Sequence, residues 1–253
     1  WPGPHGTVFD QLGLLVQSLR AHPMSRRHVV SAWNPAYLPD EARTPQENVL
    51  RGKQALAPCH TLFQLYARPL TVNERLNLMG DLDKFHMMHS RFIAHHVRYW
   101  NTVLKPTGVA NKVKSLLNPK AEVPFEKFLT MDELRDIHTA LDDATLKRYA
   151  LSMKLYARSQ DLPLGTAFNI PAYSMLLHIF AHVCNMVPYE YIHTMGDSHI
   201  YENQLEGVDT LLSRVDEHKG GKTLPKPPRL MIKSAPTTTL DGIHADDVVL
   251  LDY

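Results

Sequence analysis

The chain has 253 residues, 44% of them apolar and 21% charged, and a formal net charge of +1. That length and mixture fit one folded domain with a substantial core and exclude disorder. The near-balanced charge excludes a global basic field, so nucleic acid is not an expected partner and any anion site must be local. Two cysteines, Cys59 and Cys184, are too few for a disulfide framework and read as reduced thiols. The opening residues lack a signal-peptide pattern and no apolar run is long enough for a membrane span, so a soluble, cytoplasmic protein is expected.

In chain order, Val8, Leu12, Leu15 and Leu19 fall three or four apart between Thr7 and Ala21, which predicts an amphipathic helix stopped by Pro23. The β-branched run from His28 to Trp33 predicts a strand ending at Asn34-Pro35, and the polar stretch 36–54 a surface loop. A second strand is expected at Thr61 to Tyr66. Between Ala67 and Met153 the pattern turns helical, notably over Val72 to Arg98 and Met131 to Tyr149, and reads as a helical insertion within a single domain spanning 1–253. Strand signals return at Lys154 to Ser159. Gly165 to Phe168 reads as a turn, and Ile170 to Met186 as a helix apolar on nearly all sides, hence buried. A strand at Tyr191 to Thr194, a polar loop to Tyr201, a helix near Asn203 to Val215 and a strand at Arg229 to Lys233 complete an α+β chain, a sheet packed on a buried central helix.

A lone cysteine beside a strand is usually a buried structural thiol, because a nucleophile needs thiolate character and a charged or donating neighbour. The sequence around Cys59 changes that reading. Ser25-Arg26-Arg27 through Trp33-Asn34-Pro35, Ala55-Leu-Ala-Pro-Cys59-His60, Leu155 through Ile170 and His193 through Tyr201 are four blocks that resemble, in order, signature segments of the thymidylate synthase family. Weaker similarity runs through Asn203 and from Pro225 to Lys233.

The resemblance implies a uracil nucleotide methyltransferase with a thymidylate synthase-like fold. Cys59 would add to C6 of dUMP, making C5 an enolate-like carbon able to take a methylene group from 5,10-methylenetetrahydrofolate. Arg158 would hold the phosphate and favour the thiolate, with Ser159 adding a hydrogen bond. Arg26 and Arg27 would reach across the twofold interface of a homodimer to the partner's phosphate. Asn169, whose amide both donates and accepts, would complement O4 and N3–H of uracil; an aspartate there would suit cytosine. His199 and Tyr201 would bind the sugar 3′-hydroxyl. Asp161, Leu164, Gly165 and Phe168 would face the folate, and His60 and Asp197 would support the site.

Departures from the family pattern are Ala157, where glutamine is usual, and Pro171, tolerable in a helix's first turn. The family's N-terminal arginine, glutamate and tryptophan and its closing C-terminal tail have no counterpart, so a chain incomplete at both ends is expected. No metal is expected: His86, His89, His95 and His96 fall at helical spacing without a completing cysteine or carboxylate set, and His178 and His182 read as core or interface histidines. Two rival functions stay open. One is dUMP hydroxymethylation, in which water captures the same intermediate; the other is a non-catalytic homologue that binds nucleotide or RNA.

Overall fold

The computed structural model describes residues 7–72, 74, 75, 78, 130–143, 146–219, 227–234 and 237–251. Most of the expected helix from Val72 to Arg98, with His86, His89, His95 and His96, lies outside them. The chain divides into two compact units, Trp1–Arg68 with Leu151–Tyr253, and Pro69–Ala150.

In the first unit, α1 covers Gln11–Ala21. It starts later than the periodicity predicts because Asp10 caps it, accepting from the backbone N–H groups of Leu12 and Gly13 at 3.1 and 3.0 Å. Val8 therefore stays outside and exposed, while Leu15, Val16 and Leu19 are buried. The Gln11 amide pairs with both backbone groups of Ser31, donating to its carbonyl and accepting from its N–H at 3.0 Å each. This closes the free edge of β1 (Val29–Ser31) as another strand would. The expected loop 36–54 contains a 3-10 turn, Pro35–Tyr37, and a short helix α2, Pro45–Leu50. A reciprocal Thr44–Glu47 capping box starts α2.

Four strands form the main sheet in the order β1, β2 (His60–Pro69), β3 (Tyr149–Asp161) and β4 (Val187–His199). β1 runs antiparallel to β2 with Val30 opposite Phe63. Alternation on β2 and β3 buries Phe63, Leu65 and Ala67, and Leu151, Met153, Leu155 and Ala157. Phe63 meets Phe180 of α4 (Gly165–Val183) with ring centroids 6.0 Å apart. The opposite side of the sheet leaves Tyr66 and Tyr156 exposed.

Two sequence readings change here. The turn expected at 165–168 is the first turn of α4, so Pro171 lies inside the helix rather than at its start. Proline has no N–H, so it cannot bond to the carbonyl four residues back, that of Ala167, in the exposed half of the helix. Burial is confined to the other half, at Leu177, Phe180, Ala181 and Val183. The helix ends where Asn185 turns left-handed (φ 53), with Met186 and Asn185 donating back to the Ala181 and His182 carbonyls. The polar loop expected before Tyr201 is mostly strand, since β4 continues to His199. A 3-10 turn, Glu202–Gln204, leads into α5, Leu205–Lys219. The expected strand at Arg229 is β5 (Arg229–Ile232), and it pairs antiparallel with β6 (Val248–Leu251), which the sequence reading missed.

In the second unit, α3 (Met131–Asp143) buries Ile137 and Leu141. The helical reading extended to Tyr149, but Tyr149 opens β3. Arg75 is fully buried and spends its guanidinium on Asp142 at 2.7 Å and on the carbonyls of Leu146, Lys147 and His138 at 2.7, 3.1 and 3.2 Å.

Candidate active site

The C-terminal end of β3 carries Arg158, Ser159, Gln160 and Asp161 in succession, and most of the predicted site assembles around it. Arg158 lies against the segment leading to Cys59. Its Nε donates to the Pro58 carbonyl at 3.1 Å and its Nη2 to the Ala57 carbonyl at 2.9 Å, while its backbone N–H donates to the Cys59 carbonyl at 2.9 Å. A guanidinium has five N–H groups. Two are used on these carbonyls, and the other three have no partner among the described residues. The Trp33 ring packs at 5.6 Å from the guanidinium carbon, a contact the sequence reading did not assign.

The two thiols differ sharply. Cys59 is exposed, whereas Cys184 is buried and burial pushes its thiol up to about 11. His60, next to Cys59, is held below its ordinary value by burial and stands edge-on to Tyr173 with centroids 5.2 Å apart. Near neutral pH it is an uncharged imidazole. Behind it, Tyr173 stacks with Tyr191 at 6.4 Å, and Tyr191 tilts against His193 at 5.8 Å. Burial raises the Tyr191 phenol to about 12 and lowers His193, and the Tyr191 hydroxyl and both His193 nitrogens have no hydrogen-bond partner among the described residues. On α4, His182 Nε2 has no hydrogen-bond partner among the described residues.

Asp161 ties together two arms of the site. Its Oδ1 accepts from the Leu164 N–H at 3.3 Å at the start of α4, and its Oδ2 accepts from Gln204 Nε2 at 3.0 Å. The other end of the Gln204 amide accepts from the Tyr201 N–H at 3.1 Å, as the second half of a capping arrangement. Tyr201 stands edge-on to His199 at 4.9 Å, and the His199 carbonyl accepts from the Leu162 N–H at 3.0 Å. Asp197 lies 3.9 Å from His199 Nδ1 and is itself mostly exposed, so its support reduces to a weak charge interaction when the ring is protonated.

On α4, Asn169 is half-buried and donates from Nδ2 to Gln160 Oε1 at 3.4 Å. Leu164 and Phe168 are exposed apolar groups on the same first turns. Gly165 sits where a Cβ would come within 3.3 Å of Gln160 Nε2 and 3.2 Å of the Asp161 Cβ, so the helix packs tightly on the end of β3. Gly196 on β4 approaches Arg158 even more closely: a Cβ there would lie 2.6 Å from the Arg158 carbonyl oxygen.

Arg26 and Arg27 are not drawn into this cluster. Both are exposed in the turn before β1, where the Arg26 carbonyl accepts from Gln64 Nε2 at 3.4 Å and the Arg27 N–H donates to Ser25 at 3.2 Å. A mostly apolar cavity of about 660 Å³ lies beside the cluster, lined by residues including Leu62, His60, Tyr173, Leu176 and Ile179. Cys59, Arg158 and Asn169 do not line it.

The family model described as thymidylate synthase matches residues 1–83 and 127–253. The chain belongs to that family. A thymidylate synthase of Pseudomonas fluorescens (strain SBW25) is 29% identical over 241 residues, covering 95% of this chain and 56% of that protein. The chain therefore spans little more than half the length of that relative. A family match that skips 84–126 leaves out the middle of the stretch read as an insertion.

Sequence reasoning missed Gln160, Gln204, Trp33 and Gly196. Gln204 carried a signal, a polar residue three positions after Tyr201 at a helix start, as in a capping box. Gln160 carried none: the alternation that turns Leu155 and Ala157 inward assigns Gln160 to the opposite face, and its burial breaks that phase.

Proposed function

We propose that this chain forms the catalytic part of an enzyme that converts dUMP to dTMP, with 5,10-methylenetetrahydrofolate supplying both the carbon and the hydride. The observation that carries the reading is the Arg158 guanidinium seated on the Ala57 and Pro58 carbonyls, directly before an exposed cysteine. A cation with three donors unpaired among the described residues, anchored on the segment that ends in an exposed cysteine, supplies what a nucleotide phosphate and a C6 nucleophile require together.

The Cys59 sulfur attacks C6, the C5–C6 double bond becomes an enolate-like carbon at C5, and that carbon bonds to the folate methylene as one methylene–nitrogen bond opens. C5 then loses its proton, the second methylene–nitrogen bond breaks, a hydride from the resulting tetrahydrofolate makes the methyl group and leaves dihydrofolate, and the sulfur departs from C6. Arg158 and Ser159 hold the phosphate. Asn169 pairs with the uracil edge, and His199 and Tyr201 take the 3′-hydroxyl. Asp161 hydrogen-bonds the pterin while Leu164 and Phe168 cover its ring, and Gly165 lets α4 approach close enough to do so. In this reading the active enzyme is a homodimer in which Arg26 and Arg27 reach the partner's phosphate. Their exposure and the aromatic face of the sheet at Tyr66 and Tyr156 support it. An exposed thiol nucleophile also calls for a reducing compartment such as the cytoplasm. Among the described residues, no helix is long and apolar enough to cross a membrane.

The test is incubation of the purified protein with dUMP and labelled methylenetetrahydrofolate, followed by mass identification of the nucleotide. Thymidylate with dihydrofolate is the expected outcome. Product formation must vanish in Cys59→Ser. 5-Hydroxymethyl-dUMP with tetrahydrofolate would replace the methyltransferase by a hydroxymethylase, and binding of dUMP without any product would leave a nucleotide-binding homologue.

A further inference from the structure

Gln160 is a buried amide, 1% exposed, at a point where β3 meets the first turns of α4. An unpaired amide in such a place costs kilocalories, so its bonds must be accounted for. Nε2 donates to the Asp161 carbonyl at 3.2 Å and to the Thr166 hydroxyl at 3.0 Å, and the Thr166 hydroxyl itself donates to the same carbonyl at 3.2 Å. A backbone carbonyl can only accept, so the nitrogen end of Gln160 must face it. The oxygen end then faces Asn169, and Asn169 must answer with a donor, its Nδ2 at 3.4 Å. The direction of the Asn169 amide is therefore fixed by a chain of bonds that begins at a backbone carbonyl.

We propose that Gln160 is a positioning residue that locks the Asn169 amide in the orientation that reads uracil and rejects cytosine. The inference rests on the dUMP reading above and deepens it. Uracil offers an acceptor at O4 and a donor at N3–H, which the second Nδ2 hydrogen and Oδ1 of Asn169 complement. Cytosine offers the reverse, a 4-amino donor and an N3 acceptor. Asn169 could meet cytosine only by turning its amide over, which would set Oδ1 against Gln160 Oε1, acceptor to acceptor. Gln160 cannot turn to relieve this, because its own oxygen would then face the Asp161 carbonyl. An asparagine alone could read either base; the buried glutamine behind it removes the choice.

The experiment compares dUMP and dCMP dissociation constants by calorimetry for the full chain, Gln160→Met, Gln160→Glu and Thr166→Val. The unsubstituted protein prefers dUMP. Gln160→Met frees the Asn169 amide, and the dUMP-to-dCMP preference falls roughly tenfold to a hundredfold, the size of one or two hydrogen bonds in a buried site. Gln160→Glu keeps the preference near its original value below about pH 6, where a buried carboxyl carries the proton that replaces the Nε2 donor and still accepts from Asn169. Thr166→Val, which removes one of the two anchors, shows an intermediate loss and serves as the deciding variant if Gln160→Met does not fold. Equal weakening for both nucleotides, with the ratio unchanged, means that Gln160 only supports the local fold and overturns the proposal while leaving the dUMP reading intact. Failure of the unsubstituted protein to bind dUMP overturns both.

Discussion

Replacing Gly196 by alanine tests the closest approach in the candidate site. The added methyl would lie 2.6 Å from the Arg158 carbonyl oxygen, 3.2 Å from its carbonyl carbon and 3.3 Å from its Cα, all backbone atoms of the neighbouring strand with no flexible end to swing aside. Carbon and oxygen settle at roughly 3.3 Å or more, so β4 and β3 must part locally by roughly 0.7 Å. Overpacking of this kind costs about 1–3 kcal/mol. Arg158 is also the residue that grips the segment before Cys59, so the displacement reaches the guanidinium and its two carbonyl partners. Urea unfolding of Gly196→Ala should show the midpoint falling with an unchanged slope, and a fluorescence or calorimetric titration should show weaker nucleotide binding. Gly207, on α5, is the control: a Cβ there meets nothing within 4 Å, so Gly207→Ala should be neutral or stabilise by up to about 1 kcal/mol. Equal stability of Gly196→Ala and the unsubstituted protein would refute the steric argument.

Three further outcomes follow from the same structure. A thiol reagent at neutral pH should titrate one fast and one slow equivalent, and Cys59→Ser should remove the fast one, because Cys184 is buried with its thiol pushed up to about 11. Arg75→Ala should loosen the second unit by about 1–3 kcal/mol, because three backbone carbonyls lose their buried donor while Asp142 keeps Arg148 as a partner; faster amide exchange along α3 would report it, and unchanged exchange would contradict it. His28, His60 and His193 are all held below the ordinary value of 6.5, chiefly by burial, so the unfolded chain takes up protons first as pH falls. Stability is therefore greatest above 6.5 and declines as pH drops below it toward the lowered folded values, which thermal melts from about pH 7.5 to 5.5 would record as a falling midpoint.

The elements most legible in the sequence were those whose pattern and packing agree. The Leu15–Leu19 face of α1, the inward alternation of β2 and β3 and the apolar C-terminal half of α4 all follow from periodicity that burial then uses. The misses share a cause, long-range pairing that local residues do not advertise. Asp197-Ser198 reads as loop, yet β3 recruits it as strand and Gly196 permits the close contact. Gly165 reads as a turn, but it opens α4, packed closely on Gln160 and Asp161 at the end of β3. The Val248–Leu251 run is apolar enough to be a strand, and what identifies it is its partner β5. In the site, the resemblance supplied Cys59, Arg158 and Asn169 as candidates. It could not supply Gln160, whose proposed role rests on the polarity of bonds made across the fold.

The amide of Gln204 has a consequence of its own. One end grips the carboxylate beside α4 and the other the backbone at Tyr201, so a single side chain acts as a crossbar between two walls of the candidate site. Walls braced in this way move as one frame. On the proposed reading, a nucleotide that spreads one of them by a fraction of an ångström would also shift the other, and the folate there would feel its size through a strut that touches neither.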